Sequence, residues 1–438
     1  MPAARTRAAV SPLRRNRFFD RVIQTADGFT SGLRALAPRP TPLPTVDQVI
    51  AAERPEEPVH CLRPARITAA ARSFVADFPG DVLYAVKCNP DPAVLRALHA
   101  GGVRHFDCAS LTEVRLVRDM FPDAAIHFMH PIKARGAIRE AWARHGVRTF
   151  VLDSTAELAK IRAEIAATDI PGELALVVRL ALPKGGAKLD LSGKFGAEAR
   201  EAAALLRDAR VDAARLGVSF HVGSQCMEPL AWRAALDLAG RVIRAAGVAV
   251  DIVDVGGGFP VAYPDQVPPP LGAFFAEIEA GFDRLGLSGA RLWAEPGRAL
   301  VAAGTSIVVQ VQGRRGQTLY VNDGVFGSLS DAGALGFRYP VRLIRPDAAA
   351  ADELTSFALF GPTCDAADVM RGPFLLPADT AEGDWIEIGQ LGAYGACLRT
   401  GFNGFDRARI IEVVDERKLE PPDAVASSAV ALSLSTAA

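Results

Sequence analysis

No stretch of the chain approaches the ~20 consecutive apolar residues that a membrane-spanning helix needs, so no membrane partner is expected. An excess of one charge is also lacking. Lys and Arg number 49 against 50 Asp and Glu, a net charge of -1, which argues against nucleic acid or an anionic surface as partner. Cysteine is scarce. The six are Cys61, Cys88, Cys108, Cys226, Cys364 and Cys397, with no CxxC pair and no spacing that suits a zinc site or a disulfide framework. They read as reduced thiols of a cytoplasmic protein. The seven histidines form no HExxH or HxxxH arrangement, so no metal is expected. No acid precedes Asp20, while Arg14, Arg15 and Arg17 crowd the same stretch. Transit peptides and basic arms share that composition. The preferred reading is an arm over residues 1–57, partly disordered, and the missing apolar h-region speaks against a secretory signal.

What the chain does have is apolar content, 50% of 438 residues with 23% charged, enough for a large core and two or so domains. Short apolar runs at 82–86, 105–107, 125–129, 149–152, 174–180, 218–222, 252–255 and 291–294 read as strands. Helical spacing lies between them. Leu158, Ile161 and Ile165 share one face, as do Leu111, Val114 and Val117. Eight βα units in about 240 residues predict an α/β fold, a (β/α)8 barrel over residues 58–300. A doubly wound open sheet is the alternative. A short strand at 59–62 would lead into it. Beyond residue 300 the helical pattern fades, and runs at 306–311, 318–321, 341–344, 357–359, 385–388 and 409–413 predict an all-β domain over 301–420. Residues 421–438, small and Ser/Ala-rich, read as a disordered tail.

Polar residues fall at the ends of the predicted strands: Lys87, Asp107, His130, Asp153, Arg179, His221, the run Gly256-Gly257-Gly258, and Glu295. In a barrel these converge on one rim, where active sites of this fold lie. Lys87 follows an apolar run and precedes an Asn-Pro stop. Burial there would lower its pKa and let a neutral amine form a Schiff base with an aldehyde cofactor. A lysine reaching out to solvent is the plainer alternative. The triple glycine lets backbone N–H groups approach an anion but also suits an ordinary turn. Glu295-Pro296-Gly297-Arg298 sets an acid and a base at one strand end, and His221-Val222-Gly223-Ser224 offers a flat imidazole and a hydroxyl.

Eight motifs occur in order: Tyr84-Ala-Val-Lys-Cys-Asn, Phe106-Asp-Cys-Ala-Ser, Phe220-His-Val-Gly-Ser, Asp254-Val-Gly-Gly-Gly-Phe-Pro, Ala294-Glu-Pro-Gly-Arg, Asn322-Asp-Gly-Val-Phe-Gly-Ser, Gly361-Pro-Thr-Cys-Asp and Gly392-Ala-Tyr. Together, from about residue 60 to 415, they resemble the alanine-racemase-fold decarboxylases of basic amino acids that use pyridoxal 5'-phosphate (PLP), and among these ornithine decarboxylase. The resemblance implies that Lys87 holds PLP covalently and that His221 stacks on its ring. It implies that Ser224, Gly256, Gly257, Gly258, Arg298 and Tyr394 hold the phosphate. Asp107 and Arg179 would line the cofactor site with Glu113 in support, and Glu295 would pair with the pyridine nitrogen. A carboxylate there favours the protonated ring, hence decarboxylation over racemisation.

The resemblance further implies that Cys364 controls carbanion protonation and that Asp365 binds a distal substrate amine. Both would act from the second subunit of a homodimer. Asp365 and Asp368 together suit a cationic substrate end. Phe326, which stands where ornithine decarboxylases usually have Tyr, would line the substrate site, and Asp331 aligns loosely with a second substrate-binding acid. The expected reaction is decarboxylation of L-ornithine to putrescine. Lysine, arginine and diaminopimelate are alternative substrates, and an amino-acid racemase or a non-catalytic PLP-binding homologue are alternative functions.

Overall fold

A computed structural model describes residues 42–414 and 419, apart from 186 and 190–192. Most of the basic arm and the tail from 421 lie outside the described residues. Strand β1 (Val59–Leu62) comes first. The next eight are β2 (Asp81–Ala85), β3 (His105–Cys108), β4 (Ala125–Phe128), β5 (Thr149–Leu152), β6 (Ala175–Arg179), β7 (Arg215–Ser219), β8 (Ile252–Asp254) and β9 (Arg291–Ala294). Each is parallel to its neighbour, and β9 pairs back onto β2. The eight therefore form a closed barrel.

The alternating helices start where the sequence offers caps. Asp91, Ser110 and Ser154 accept from the backbone of Ala93, Glu113 and Glu157 at the heads of helices Pro92–Ala100, Leu111–Met120 and Thr155–Ala166. Their apolar faces then pack on the barrel wall. Helix Leu230–Ala246, for example, buries Trp232, Leu236, Ala239 and Ile243. Inside the barrel, Leu83, Met129, Val151, Val177, Ile252 and Trp293 form a separate apolar plug. A filled interior means that chemistry is confined to the rim.

The remaining strands are β10 (Thr305–Arg315), β11 (Thr318–Val321), β12 (Val341–Ile344), β13 (Leu354–Phe360), β14 (Val369–Pro377), β15 (Trp385–Ile388) and β16 (Arg409–Glu412). They form one sheet in the order β12-β15-β10-β11-β13-β14, with β1 paired to β10 and β16. Strand β1 therefore hydrogen-bonds to the C-terminal sheet, antiparallel to β10 in the register Val59↔Val308.

Beyond small shifts at strand ends, four features depart from the sequence pattern. Strand β7 starts at Arg215, where a charged residue masks its onset, and ends at Ser219, so His221 stands on the loop beyond it. Strand β2 stops at Ala85, and Lys87 sits on the 3-10 turn Val86–Cys88. Within the predicted arm, Val46–Glu53 is a helix headed by a Thr45/Gln48 capping box. Strand β14 is absent from the predicted runs; it carries Gly372-Pro373, a pair that reads as a turn.

Candidate active site

A cavity of about 570 Å³ opens at the carboxyl ends of the barrel strands, where the C-terminal domain meets the rim. The barrel contributes Lys87, Asp107, His130, Arg179, His221, Ser224, Gly258, Glu295 and Arg298 to its wall, and the C-terminal domain contributes Asp331 and Tyr394. Its size lies within the range of small-molecule sites. Of the eight predicted rim positions, Asp153 is not in the wall. Its carboxylate accepts from the Gly196 backbone at 2.9 Å and ties down the loop after β6.

Lys87 Nζ donates to Asp107 Oδ2 at 2.8 Å. Burial alone would lower the lysine's pKa, but the charges of Asp107, Tyr394 and Glu295 and the bond to Asp107 outweigh it, and the net shift is upward. The sequence reading of a neutral amine is therefore wrong for the cofactor-free chain. A carboxylate at hydrogen-bond distance keeps the amine charged. The side chain also remains 43% exposed because it projects into the open cavity, while Asp107 is 1% exposed.

Glu295 is raised well above the usual carboxylate range, first by burial and then by the negative charges of Asp254 and Asp107. Asp254 itself is raised to about 6, mainly by burial. Its Oδ1 accepts from the Gly256 backbone at 2.9 Å. Its Oδ2 is buried without a hydrogen-bond partner. Both acids, at the ends of β8 and β9, are therefore held toward their protonated forms. The sequence reading passed over Asp254, whose position at the head of the triple-glycine motif was the available signal.

His221 is pushed well below its ordinary value by burial and by the positive charges of Arg179 and Lys87. Its Nδ1 accepts from the Gly223 backbone at 3.0 Å, so the neutral ring carries its proton on Nε2. A Cβ on Gly257 would stand 3.1 Å from that Nε2 and 2.5 Å from the Glu295 carbonyl oxygen. Only a glycine lets the chain pass between the two. Gly258, at φ +103, would place a Cβ 2.2 Å from the Gly223 carbonyl oxygen, and Gly256, at φ +66, one 2.2 Å from that of Phe220. Of the three, Gly258 alone reaches the cavity wall; Gly256 and Gly257 allow the strand ends to close around it.

Arg298 is buried and already engaged. It donates to the Tyr263 hydroxyl at 2.8 Å and to Asp331 at 2.9 Å. Tyr394, at φ +55, donates its backbone N–H to the Cys88 carbonyl at 3.0 Å, which fixes its ring at the wall. Glu113 is not in the wall. It closes the head of its helix, accepting from the Ala109 backbone at 2.6 Å, and burial raises its pKa to about 7.

A family profile for "Pyridoxal-dependent decarboxylase, pyridoxal binding domain" matches residues 64–302. The chain belongs to the pyridoxal-dependent decarboxylases. It is 32% identical over 363 residues to the ornithine decarboxylase of Panagrellus redivivus, covering 77% of this chain and 80% of that one. Its fold matches the crystal structure of a lysine/ornithine decarboxylase from Vibrio vulnificus complexed with cadaverine, with a TM-score of 0.73 and 32% identity, covering 85% of this chain and all of the other. It also matches the arginine decarboxylase of Paramecium bursaria Chlorella virus bound to agmatine, with a TM-score of 0.74 and 27% identity over 84% of this chain and 99% of that one.

The decarboxylase cofactor is PLP, and the wall residues fit it. The cavity offers the Lys87 amine at the end of the first barrel strand for its aldehyde, a flat neutral imidazole for its ring, a buried acid for its pyridine nitrogen and a guanidinium with a glycine backbone for its phosphate. Three predicted residues lie elsewhere. Phe326 packs on Phe402 with ring centroids 5.0 Å apart. Cys364 is exposed, its Sγ 3.3 Å from Asn403 Oδ1. The Asp365 carboxylate accepts from the Ala367 backbone at 2.8 Å. None of the three is in this chain's cavity wall. Asp368, paired with Asp365 in the sequence reading, faces no substrate. It is buried and takes bonds from Val325 N and from the backbone and hydroxyl of Thr363, at 2.7, 3.1 and 2.7 Å. Its lone pairs are consumed in fixing two loops.

Proposed function

We propose that this decarboxylase acts on a basic L-amino acid, L-ornithine first among the candidates, and releases putrescine. The observation that carries the reading is the meeting of Lys87, Asp107, His221, Glu295 and Arg298 in one cavity wall. The relatives named above, which span ornithine, lysine and arginine decarboxylases, support the basic class.

When bound, PLP supplies the aldehyde that captures the substrate's α-amine and the ring that accepts the electron pair left as CO2 departs. The chain's own groups do the rest. Lys87 would hold the cofactor through its aldehyde, with its amine facing the cavity. Asp107, which accepts from Lys87 Nζ at 2.8 Å, would orient that amine and balance its charge. Glu295, buried and raised by the neighbouring charge of Asp254, would keep a proton at the pyridine nitrogen. The neutral His221 ring offers a flat face, and Ser224, Gly258, Arg298 and Tyr394 would hold the phosphate. Cys364 and Asp365, exposed on their own subunit, enter the cavity of a second copy in a two-fold dimer, where the thiol returns the proton and the carboxylate binds the distal ammonium. Cytoplasmic residence belongs to the same proposal, supported by cysteines that are all free among the described residues.

The test is to incubate purified protein and PLP separately with L-ornithine, L-lysine, L-arginine and meso-diaminopimelate, and to measure CO2 and the amine by mass spectrometry, with Lys87→Ala as control. Putrescine dominates if the proposal holds. Lysine from diaminopimelate alone would mean that the Cys364-Asp365 pair has been misread. No CO2 from any substrate, with PLP still bound, would replace the reading by a racemase or a binding protein.

A further inference from the structure

The Arg298–Asp331 pair asks for an account that the proposed reaction does not give it. Both residues face the cavity, and both are buried, at 4% and 7% exposure. Arg298 comes from the turn after β9, and Asp331 from the 3-10 turn Ser330–Ala332 of the C-terminal domain. Nη2 of the arginine donates to Asp331 Oδ2 at 2.9 Å and Nη1 to the Tyr263 hydroxyl at 2.8 Å. The guanidinium carbon lies 4.7 Å from the centre of the Phe337 ring and 5.1 Å from that of Tyr394. The arginine is thus gripped at two edge atoms and bounded by two aromatic rings.

A guanidinium carries five N–H donors in a rigid planar fork. Bonds at Nη1 and Nη2 fix the orientation of that plane without exhausting the donors. A buried guanidinium also needs a counter-charge whenever no anionic ligand is present, since an unpaired buried charge is costly. Asp331 supplies one. The same pairing makes Asp331 a poor anchor for a substrate ammonium. A carboxylate that already shares its charge with a guanidinium presents a nearly neutral unit to a second cation.

We propose that Asp331, assisted by Tyr263, is a positioning residue that holds Arg298 in register for the cofactor's phosphate, and is not the anchor for the substrate's distal amine. This rests on the cofactor reading above. Of the other two acids in the wall, Asp107 is bonded to Lys87 and Glu295 is buried beside Asp254. Recognition of a distal cation then falls to Asp365 of a second copy.

The experiment titrates cofactor-free wild type, Asp331→Asn and Tyr263→Phe with PLP and, separately, with pyridoxal, which has the aldehyde and ring but no phosphate. Binding is read by equilibrium dialysis, and folding by circular dichroism. Asparagine keeps an acceptor for Nη2 but loses the charge that strengthens the bond, which predicts PLP affinity weaker by about tenfold in Asp331→Asn. Tyr263→Phe should shift in the same direction by less, with pyridoxal affinity unchanged in both. At saturating PLP, KM for the amino acid should stay at the wild-type value in Asp331→Asn. A KM that rises while the PLP affinity is unchanged would make Asp331 a substrate anchor and overturn the proposal. So would equal losses for PLP and pyridoxal, which indicate general damage to the site. If Asp331→Asn fails to fold, Tyr263→Phe and Asp331→Glu decide by the same comparison. A wild type that binds PLP no better than pyridoxal would instead remove the cofactor reading on which this one stands.

Discussion

Asp254 keeps its proton to about 6, against an ordinary 3.8, because it is buried and close to other acids. The folded state therefore binds a proton that the unfolded chain releases, and stability falls as pH rises from about 4 to about 6. Below that window both states are protonated and the penalty is absent; above it the penalty is complete. Asp254→Asn removes the titration. In the cofactor-free protein the variant should gain on wild type by a few kcal/mol between about pH 4 and pH 7 in urea unfolding. An equal difference at both pH values would show that Asp254 does not hold this proton. Its neighbour Glu295 gives the chemical counterpart. Glu295→Gln cannot hold a proton at the pyridine nitrogen by charge, so kcat should fall by about a hundredfold or more with PLP still bound. A variant with wild-type kcat would take Glu295 out of the reaction.

At the scale of elements, the loop after β8 is held by close backbone approaches. A side chain on Gly258 meets the Gly223 carbonyl at 2.2 Å in a backbone conformation, φ +103, that L-residues rarely adopt. Gly258→Ala should cost at least about 2 kcal/mol of stability and weaken PLP binding together, read by thermal unfolding with and without cofactor. Stability lost with no change in cofactor affinity would mean that the loop only closes the barrel.

This loop was legible from sequence, as were the barrel strands, because parallel strands buried on both faces leave short apolar runs. Reading failed where an element's cue lay off its apolar residues. Arg215 conceals the start of β7, and Gly372-Pro373 interrupts β14. The site divides along the same line. Lys87, Asp107, His221 and Glu295 stand at or just past strand ends, and the βα pattern locates them. The Arg298–Asp331 bond joins residues 33 apart and depends on how the second domain docks on the rim. Nor does the sequence separate Asp365 from Asp368, since only the fold shows that Asp368 is occupied by backbone donors.

The whole molecule poses the question of where Cys364 and Asp365 act. Both are exposed on a loop outside the wall of their own chain's cavity, which contains Lys87. If two copies complete each other's sites, each site needs Lys87 from one chain and Cys364 from the other. Lys87→Ala and Cys364→Ala homodimers should then each be impaired, with no turnover in the first. Mixing them in equal amounts under exchanging conditions makes about half of the dimers hybrid by random association. Each hybrid has one site in which both residues are wild type and one in which neither is. Half of the sites in half of the dimers should recover, so the mixture should reach about a quarter of wild-type activity. If instead both residues serve one chain's site, no combination of chains rebuilds a complete one, and the mixture stays at the average of its two components. Sedimentation of the same samples fixes the dimer fraction, so a lack of recovery in a fully dimeric mixture would count against the shared site and not against association.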